Sequence, residues 1–198
     1  MTAAKMVREV RVVTKGWDYT AVSIGYPGPV VHNQPIAEPH NLGRGWVGFD
    51  FQKALGRPVR LINDAAMQAL GSYEGGRMLF LGLGTGLGSA MIVDGILEPM
   101  ELAHLPYKKG RSYEDYVGLR GLKRLGKKKW NRHVADVVER LKAALEADYV
   151  VLGGGNAKLL KKLPPGARLG DNNNSFRGGF RLWRGIDGHG ASRSGQKR

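Results

Sequence analysis

Residues 78–95 read MLFLGLGTGLGSAMIVDG, and this stretch decides the fold. Met78-Leu79-Phe80-Leu81 is an apolar run of strand length, Ser89-Ala90-Met91-Ile92-Val93 is a second, and Asp94-Gly95 supplies a turn, so the stretch predicts a β-hairpin. Between the strands lies Gly82-Leu83-Gly84-Thr85-Gly86-Leu87-Gly88. Alternate glycines let successive backbone N–H groups approach an anion without obstruction by side chains. The register does not fit GxGxxG, and no GKS or GKT follows to make a Walker loop. A glycine-rich turn and a phosphate-binding loop are both consistent with the spacing.

Working outward, Tyr149-Val150-Val151-Leu152 is a buried-type strand that runs into Gly153-Gly154-Gly155, a strand, glycine turn and helix in series. Upstream, Val59-Arg60-Leu61-Ile62 reads as a strand, after which Asp64 opens a helix from Ala65 to Tyr73. Asn63 and Asp64 therefore fall at a strand end, where a side chain can project into a crevice, although Asp is equally a common helix cap. Thr2 to Val13 has Met6, Val7, Val10 and Val13 at helical spacing, with Thr2 as cap, and Ala21–Gly25 is a short strand closed by the Pro27-Gly28-Pro29 turn. A long polar loop through PHNLGRGWVGFD follows. Two helices are expected at about Tyr113–Leu125 and Trp130–Leu145, a turn-rich stretch from Pro164, and a disordered basic tail over 184–198.

Alternating strands and helices make the chain α/β, and 198 residues suffice for two small lobes. Hydrophobic residues at 42% and charged residues at 24% are ordinary for a globular protein and unlike a disordered one. No apolar run approaches the ~20 residues of a membrane span, and the N-terminus lacks a signal-like apolar centre, so a cytoplasmic protein with no membrane partner is expected. The absence of cysteine excludes disulfides, thiolate catalysis and cysteine-ligated zinc, and the five histidines show no metal-site spacing. The net charge of +14 is concentrated: residues 107–132 hold ten basic side chains against Glu114 and Asp115. A solvated helical face and a polyanion-binding surface both account for such a run. No aromatic-basic RNA motif accompanies it, so a nucleic-acid partner is not expected.

The segments GYPGPV, PHNLGRGW, NDA, GLGTGLGSA, ELAHLP and VVLGGGN, taken in order, resemble the bacterial sugar kinases of the repressor, open reading frame and kinase (ROK) family, in the branch of the polyphosphate glucokinases. The resemblance covers about residues 20–183. It implies an actin-like fold of two lobes, each on a ribonuclease-H-like mixed sheet, with sugar and phosphoryl donor meeting in the cleft. Lobes over 1–76 and 77–183 are expected.

By the same resemblance Asp64 is the general base toward the sugar 6-hydroxyl, with Asn41 and Asn63 as sugar partners. Glu101 and His104 match a Glu-x-Gly-His sugar motif, with Ala103 in place of the glycine, and Glu114 in SYEDYVG resembles a further sugar contact. Gly84, Thr85, Gly86 and Gly88 resemble the second phosphate loop, and Gly153, Gly154, Gly155 and Asn156 the adenosine motif. Magnesium with ATP or polyphosphate, a hexose substrate and a homodimer are implied.

Two departures stand out. The family's zinc cysteines are replaced by Lys108–Arg111, so no zinc is expected and His104 must be oriented by other means. The family's opening Asp-x-Gly-Gly-Thr loop has no counterpart after Met1, so the expected fold has a shortened N-terminal lobe. The expected function is transfer of a phosphoryl group from ATP or polyphosphate to the 6-hydroxyl of glucose or a related hexose. The rival reading is a sugar-binding relative without phosphotransfer.

Overall fold

The computed structural model describes residues 1–39 and 42–184, which divide into two compact units, one of residues 1–64 and one from residue 65 onward. In the first unit, helix α1 (Ala3–Val13) starts where Thr2 Oγ1 accepts the Lys5 N–H at 3.3 Å, as a cap should. Its buried face is Ala3 and Val7. Strands β1 (Val22–Tyr26) and β4 (Val59–Asn63) pair in parallel, from Val22 opposite Val59 to Tyr26 opposite Asn63. Their core is aromatic: Trp46 lies 5.6 Å from Tyr26 and 6.1 Å from Phe51 between ring centres.

The expected polar loop holds more structure than its composition suggests. It contains the two-residue strands β2 (Val30–Val31) and β3 (Gln34–Pro35) and the five-residue helix α2 (Phe51–Leu55). Asp50 caps α2 by accepting the Lys53 N–H at 2.8 Å, and Gly56 ends it in the left-handed region at φ 67°. A helix of five residues is too short to show a period. Asn33 also works here as backbone would: its side chain donates to Val59 O at 3.0 Å and accepts the Leu61 N–H at 2.6 Å along β4.

After helix α3 (Asp64–Ser72), the second unit is built on a five-stranded mixed sheet. Its strands are β5 (Arg77–Leu83), β6 (Leu87–Val93), β7 (Ile96–Met100), β10 (Tyr149–Gly153) and β11 (Ala167–Leu169), in the order β11-β10-β5-β6-β7. The hairpin β5–β6 is antiparallel, as is β6–β7, whereas β10 runs parallel to both β5 and β11. Three antiparallel strands followed by two parallel ones is the ribonuclease-H-like arrangement. A small antiparallel pair, β8 (Pro106–Lys108) with β9 (Arg111–Ser112), precedes helix α4 (Tyr113–Val117).

Helix α5 (Leu119–Ala144) covers the sheet with Trp130, Val134, Val137, Val138 and Leu141, a stripe at helical spacing. The indole N–H of Trp130, wholly buried, is satisfied by Val117 O at 2.8 Å. The break expected between two helices, about Tyr113–Leu125 and Trp130–Leu145, falls inside α5 at Gly126, whose φ of 73° and ψ of 156° leave the helical path and part the segment into two helices. The stretch after Pro164 was expected to be turns, yet it carries β11 and helix α6 (Asn174–Arg184). Two glycines at its centre lower its helical propensity, which hid it. They serve packing: a side chain on Gly178 would strike the Met67 carbonyl of α3, and one on Gly71 of α3 would strike the Asn174 carbonyl. Arg184 closes α6, and the rest of the expected tail lies outside the described residues.

The crossing of α3 and α6 is testable. Gly178→Val should lower stability by about 1–3 kcal/mol, the scale of overpacking. The control Gly155→Ala, where an added Cβ meets nothing within 4 Å, should stay within about 0.5 kcal/mol. Urea unfolding of both variants measures the difference, and equal stabilities would refute the close helix crossing.

Candidate active site

In the first unit, Asn63 ends β4 and its side-chain amide donates to Gly28 O at 3.1 Å. Parallel pairing of Tyr26 with Asn63 brings the Pro27-Gly28-Pro29 turn to that place, and a side chain on Gly28 would sit 2.9 Å from the Tyr26 ring. Asp64 follows as the first residue of α3, a position where the helix dipole suits a carboxylate. Asn41 lies outside the described residues. In the same unit the Glu38 carboxylate gathers the N–H groups of Gly45, Trp46 and Val47 at 3.1–3.4 Å. Desolvation pushes Glu38 upward, but those three donors and the Arg44 charge outweigh it and hold its pKa below the ordinary carboxylate value.

In the second unit the two glycine turns meet. Leu83 pairs with Leu87, leaving Gly84-Thr85-Gly86 as the hairpin tip. Gly154, at φ 81°, lies so close to Leu83 that a Cβ there would fall 2.6 Å from its carbonyl oxygen. Asn156 then donates twice: its backbone N–H to Leu83 O and its side-chain amide to Gly84 O, each at 2.9 Å. From the other side the Leu119 N–H donates to Thr85 O at 3.1 Å. Thr85 and Gly155 face solvent. Gly88 approaches the first turn of α3, where a Cβ would lie 2.8 Å from that of Ala65.

Glu114 joins this loop. Its carboxylate accepts the Leu87 N–H at 3.2 Å, lies against Gly86 and pairs with Arg120 at 3.4 Å. Its backbone N–H meanwhile donates to Ala103 O at 3.0 Å, so one residue touches both the hairpin tip and the 101–105 segment. Arg120 was not singled out in the sequence, where it was one basic residue among ten.

Glu101 and His104 come together as their spacing predicts, 3.8 Å apart and largely exposed. Their backbone is fixed from three sides. Buried Ser89 accepts the Leu102 N–H at 3.1 Å and donates to Met100 O at 2.9 Å; Ala103 is buried; and the Tyr113 N–H donates to Leu105 O at 3.1 Å. Beyond the segment, β8 and β9 meet α5 in a polar cluster. Asp136 accepts from Tyr107 Oη at 2.5 Å, Lys108 Nζ at 3.0 Å and Arg140 Nε at 3.0 Å, and His133 Nδ1 lies 3.1 Å from the same tyrosine oxygen. Desolvation pushes Asp136 upward, yet its three donors prevail and bring its pKa down to about 2. For His133, burial and the Lys108 charge push the pKa downward. None of this cluster was legible as a site, because Asp136 in RHVADVVER reads as an ordinary helix-surface residue.

Among the described residues no group of three His, Cys, Asp or Glu side chains is placed to hold a metal ion, and no helix is long and apolar enough to cross a membrane.

The strand order is that of the actin-like fold. The ROK family model matches residues 2–99. The polyphosphate glucokinase of Mycobacterium tuberculosis is 28% identical over 184 residues, covering 83% of this chain and 66% of that protein. The glucokinase of Pyrobaculum calidifontis is 31% identical over 102 residues, 48% of this chain and 34% of that one. Among solved structures, the polyphosphate/ATP-glucomannokinase of Arthrobacter sp. strain KM superposes with a TM-score of 0.71 at 25% identity, over 88% of this chain and 78% of that one. The chain belongs to the ROK family. It spans about two thirds of the length of the mycobacterial relative it matches.

The depressed carboxylate in the polar cluster has a consequence in acid. A folded pKa below the ordinary value means that Asp136 adds stability above the ordinary value and loses it as pH falls from 3.8 through about 2. Asp136→Asn should therefore remove part of the decline in thermal stability over that window. Parallel acid profiles for variant and wild type would refute the role.

Proposed function

We propose that the chain is a glucokinase-type sugar kinase that moves a phosphoryl group from ATP or polyphosphate to the 6-hydroxyl of glucose or a related hexose. The observation that carries this reading is the locked pair of glycine turns, Gly84–Gly88 against Gly154–Asn156, in a member of the ROK family. Phosphoryl transfer asks a protein for positioning and charge stabilisation more than for covalent chemistry. A rigid turn of small residues, edged by backbone N–H groups, supplies both for a phosphate.

In this reading Asp64 accepts the proton of the sugar 6-hydroxyl as its oxygen attacks the terminal phosphorus, and the bond to ADP or to the shortened polyphosphate breaks. Asn41, Asn63, Glu101, His104 and Glu114 hold sugar hydroxyls. Gly84, Thr85, Gly86 and Gly88 hold the transferring phosphate, and Gly153, Gly154, Gly155 and Asn156 the nucleotide. Magnesium would accompany the donor rather than be held by a protein site and would supply neutralisation of phosphate charge. Lobes of residues 1–76 and 77–183, a cytoplasmic location and a homodimer complete the proposal.

Asp64→Asn tests the chemistry. The amide still hydrogen-bonds but takes no proton, so glucose 6-phosphate formation should fall by about 10²–10⁴-fold while glucose affinity changes little. Near wild-type turnover would remove Asp64 from the base role. Glucose binding without turnover in the unaltered chain would assign the non-catalytic reading instead, and neither binding nor turnover would overturn both.

The donor is open to a second test. Lys127, Lys128 and Lys129 are exposed on α5, and Asn131 accepts the Lys161 N–H at 2.9 Å. That bond holds the exposed Lys158, Lys161 and Lys162 beside the same helix, continuous with Asn156 at the hairpin tip. A long polyanion can span this ridge and ATP is too short to do so, so neutralising Lys127, Lys128 and Lys129 together should raise KM for polyphosphate far more than KM for ATP. An unchanged ratio of kcat/KM for the two donors across a salt series would reduce the ridge to a solvated surface.

A further inference from the structure

Lys108–Arg111 stands where the resemblance implies zinc cysteines, and its donor set does not fit a metal. Ammonium and guanidinium groups have no lone pair to give, and the chain contains no thiolate. The structure puts a different device at this place. The β8–β9 hairpin follows the Glu101–His104 segment directly, and both of its inner groups, Tyr107 Oη and Lys108 Nζ, converge on Asp136 of α5. Arg140, one helical turn further along, donates to the same carboxylate oxygen.

We propose that Asp136 is a positioning residue for the sugar-side segment, an organic replacement for a metal tie between the β8–β9 hairpin and α5. It acts through Tyr107 and Lys108 on the backbone that carries Glu101 and His104. The argument is one of anchors. Glu101 and His104 are exposed, so no packing fixes their side chains, and the aim of both depends on the backbone from 100 to 108. Ser89 pins the start of that backbone and Ala103 its middle. Its end is pinned at Asp136.

Several features suit this role. Charge-assisted hydrogen bonds to a carboxylate are the stronger kind, and this carboxylate receives three. The Tyr107 ring is held by Tyr113, Tyr116 and His133 at centroid distances of 5.1, 5.0 and 5.8 Å, so its hydroxyl is delivered to Asp136 on a fixed arm. Net charge matters as well. Asp136 is an acidic group set among Lys108, Arg132, His133 and Arg140, and its charge offsets the repulsion between the hairpin cation and the cations of α5.

The proposal rests on the sugar-kinase reading, and the experiment separates the two. In the full chain, Asp136→Asn and Tyr107→Phe are compared with wild type by amide hydrogen exchange over residues 101–112, and by KM for glucose against KM for the donor. Tyr107→Phe keeps the ring packing and removes only the hydroxyl, so it stays informative if the first variant folds poorly. Loss of one charge-assisted bond should speed exchange in the segment by about tenfold and raise glucose KM by a similar factor, with donor KM unchanged. Unchanged exchange in both variants would overturn the tie. Faster exchange with unaltered glucose KM would overturn its positioning role. A wild-type chain that binds no hexose would sink the sugar-kinase reading and the sugar half of this proposal together, while exchange still decides whether Asp136 is the anchor.

Discussion

The architecture of the second unit turns on one close approach, that of Gly154 to the backbone of Leu83. Strand β5 is paired on both sides, with β6 and with β10, so its carboxyl end cannot shift without disturbing three strands. Gly154 adopts a φ of 81° that other residues resist, and it has no Cβ to meet the Leu83 carbonyl. Only on those two conditions can Asn156 reach Leu83 O and Gly84 O. The hairpin tip is therefore held by the turn that follows the neighbouring strand β10, and Leu119 holds it from the opposite side. A turn of three small residues would ordinarily be mobile. Here it is tied down from two sides, by Asn156 and by Leu119.

A second set of constraints ties the 101–105 segment to that surface. Glu114 is common to both: its N–H reaches Ala103 and its carboxylate reaches Leu87. Any displacement of the segment is felt at the hairpin tip. The same segment continues into β8, where Asp136 gathers Tyr107, Lys108 and Arg140. The 101–105 segment and the hairpin tip of the second unit thus share one mechanical frame, assembled from neutral backbone bonds at one end and ionic ones at the other.

Much of this was legible in the residues. The apolar runs on either side of GLGTGLG, the strand before Gly153–Gly155 and the Val59–Asp64 strand-to-helix junction all appear where their patterns put them, because each couples a strong period to a glycine or acidic boundary. Helix α2 escaped notice because five residues carry no period, β7 because ILEPM carries a charge and a proline at Glu98-Pro99, and α6 because its glycines face α3 rather than mark a turn. The polar cluster was invisible for a different reason. Tyr107 and Asp136 are 29 residues apart, and nothing local to either signals the other. Side-chain pairs across such separations are created by the sheet order, which only the folded chain displays. Glu114 was singled out by motif alone, and its bond to Leu87 could not be read from its neighbours.

Asn33 carries a consequence of another kind. Its side-chain amide takes up Val59 O and Leu61 N–H, the groups through which β4 would otherwise accept a further strand. Exposed strand edges are templates for unwanted self-association, and proteins commonly blunt them with charge, proline or bulges. Here a single asparagine, held at φ 66°, plugs the edge with an imitation of peptide backbone. The first unit has a sheet of two strands, and such a sheet has little burial with which to discourage recruitment. One carboxamide thus takes up, along β4, two backbone groups through which another chain could have paired.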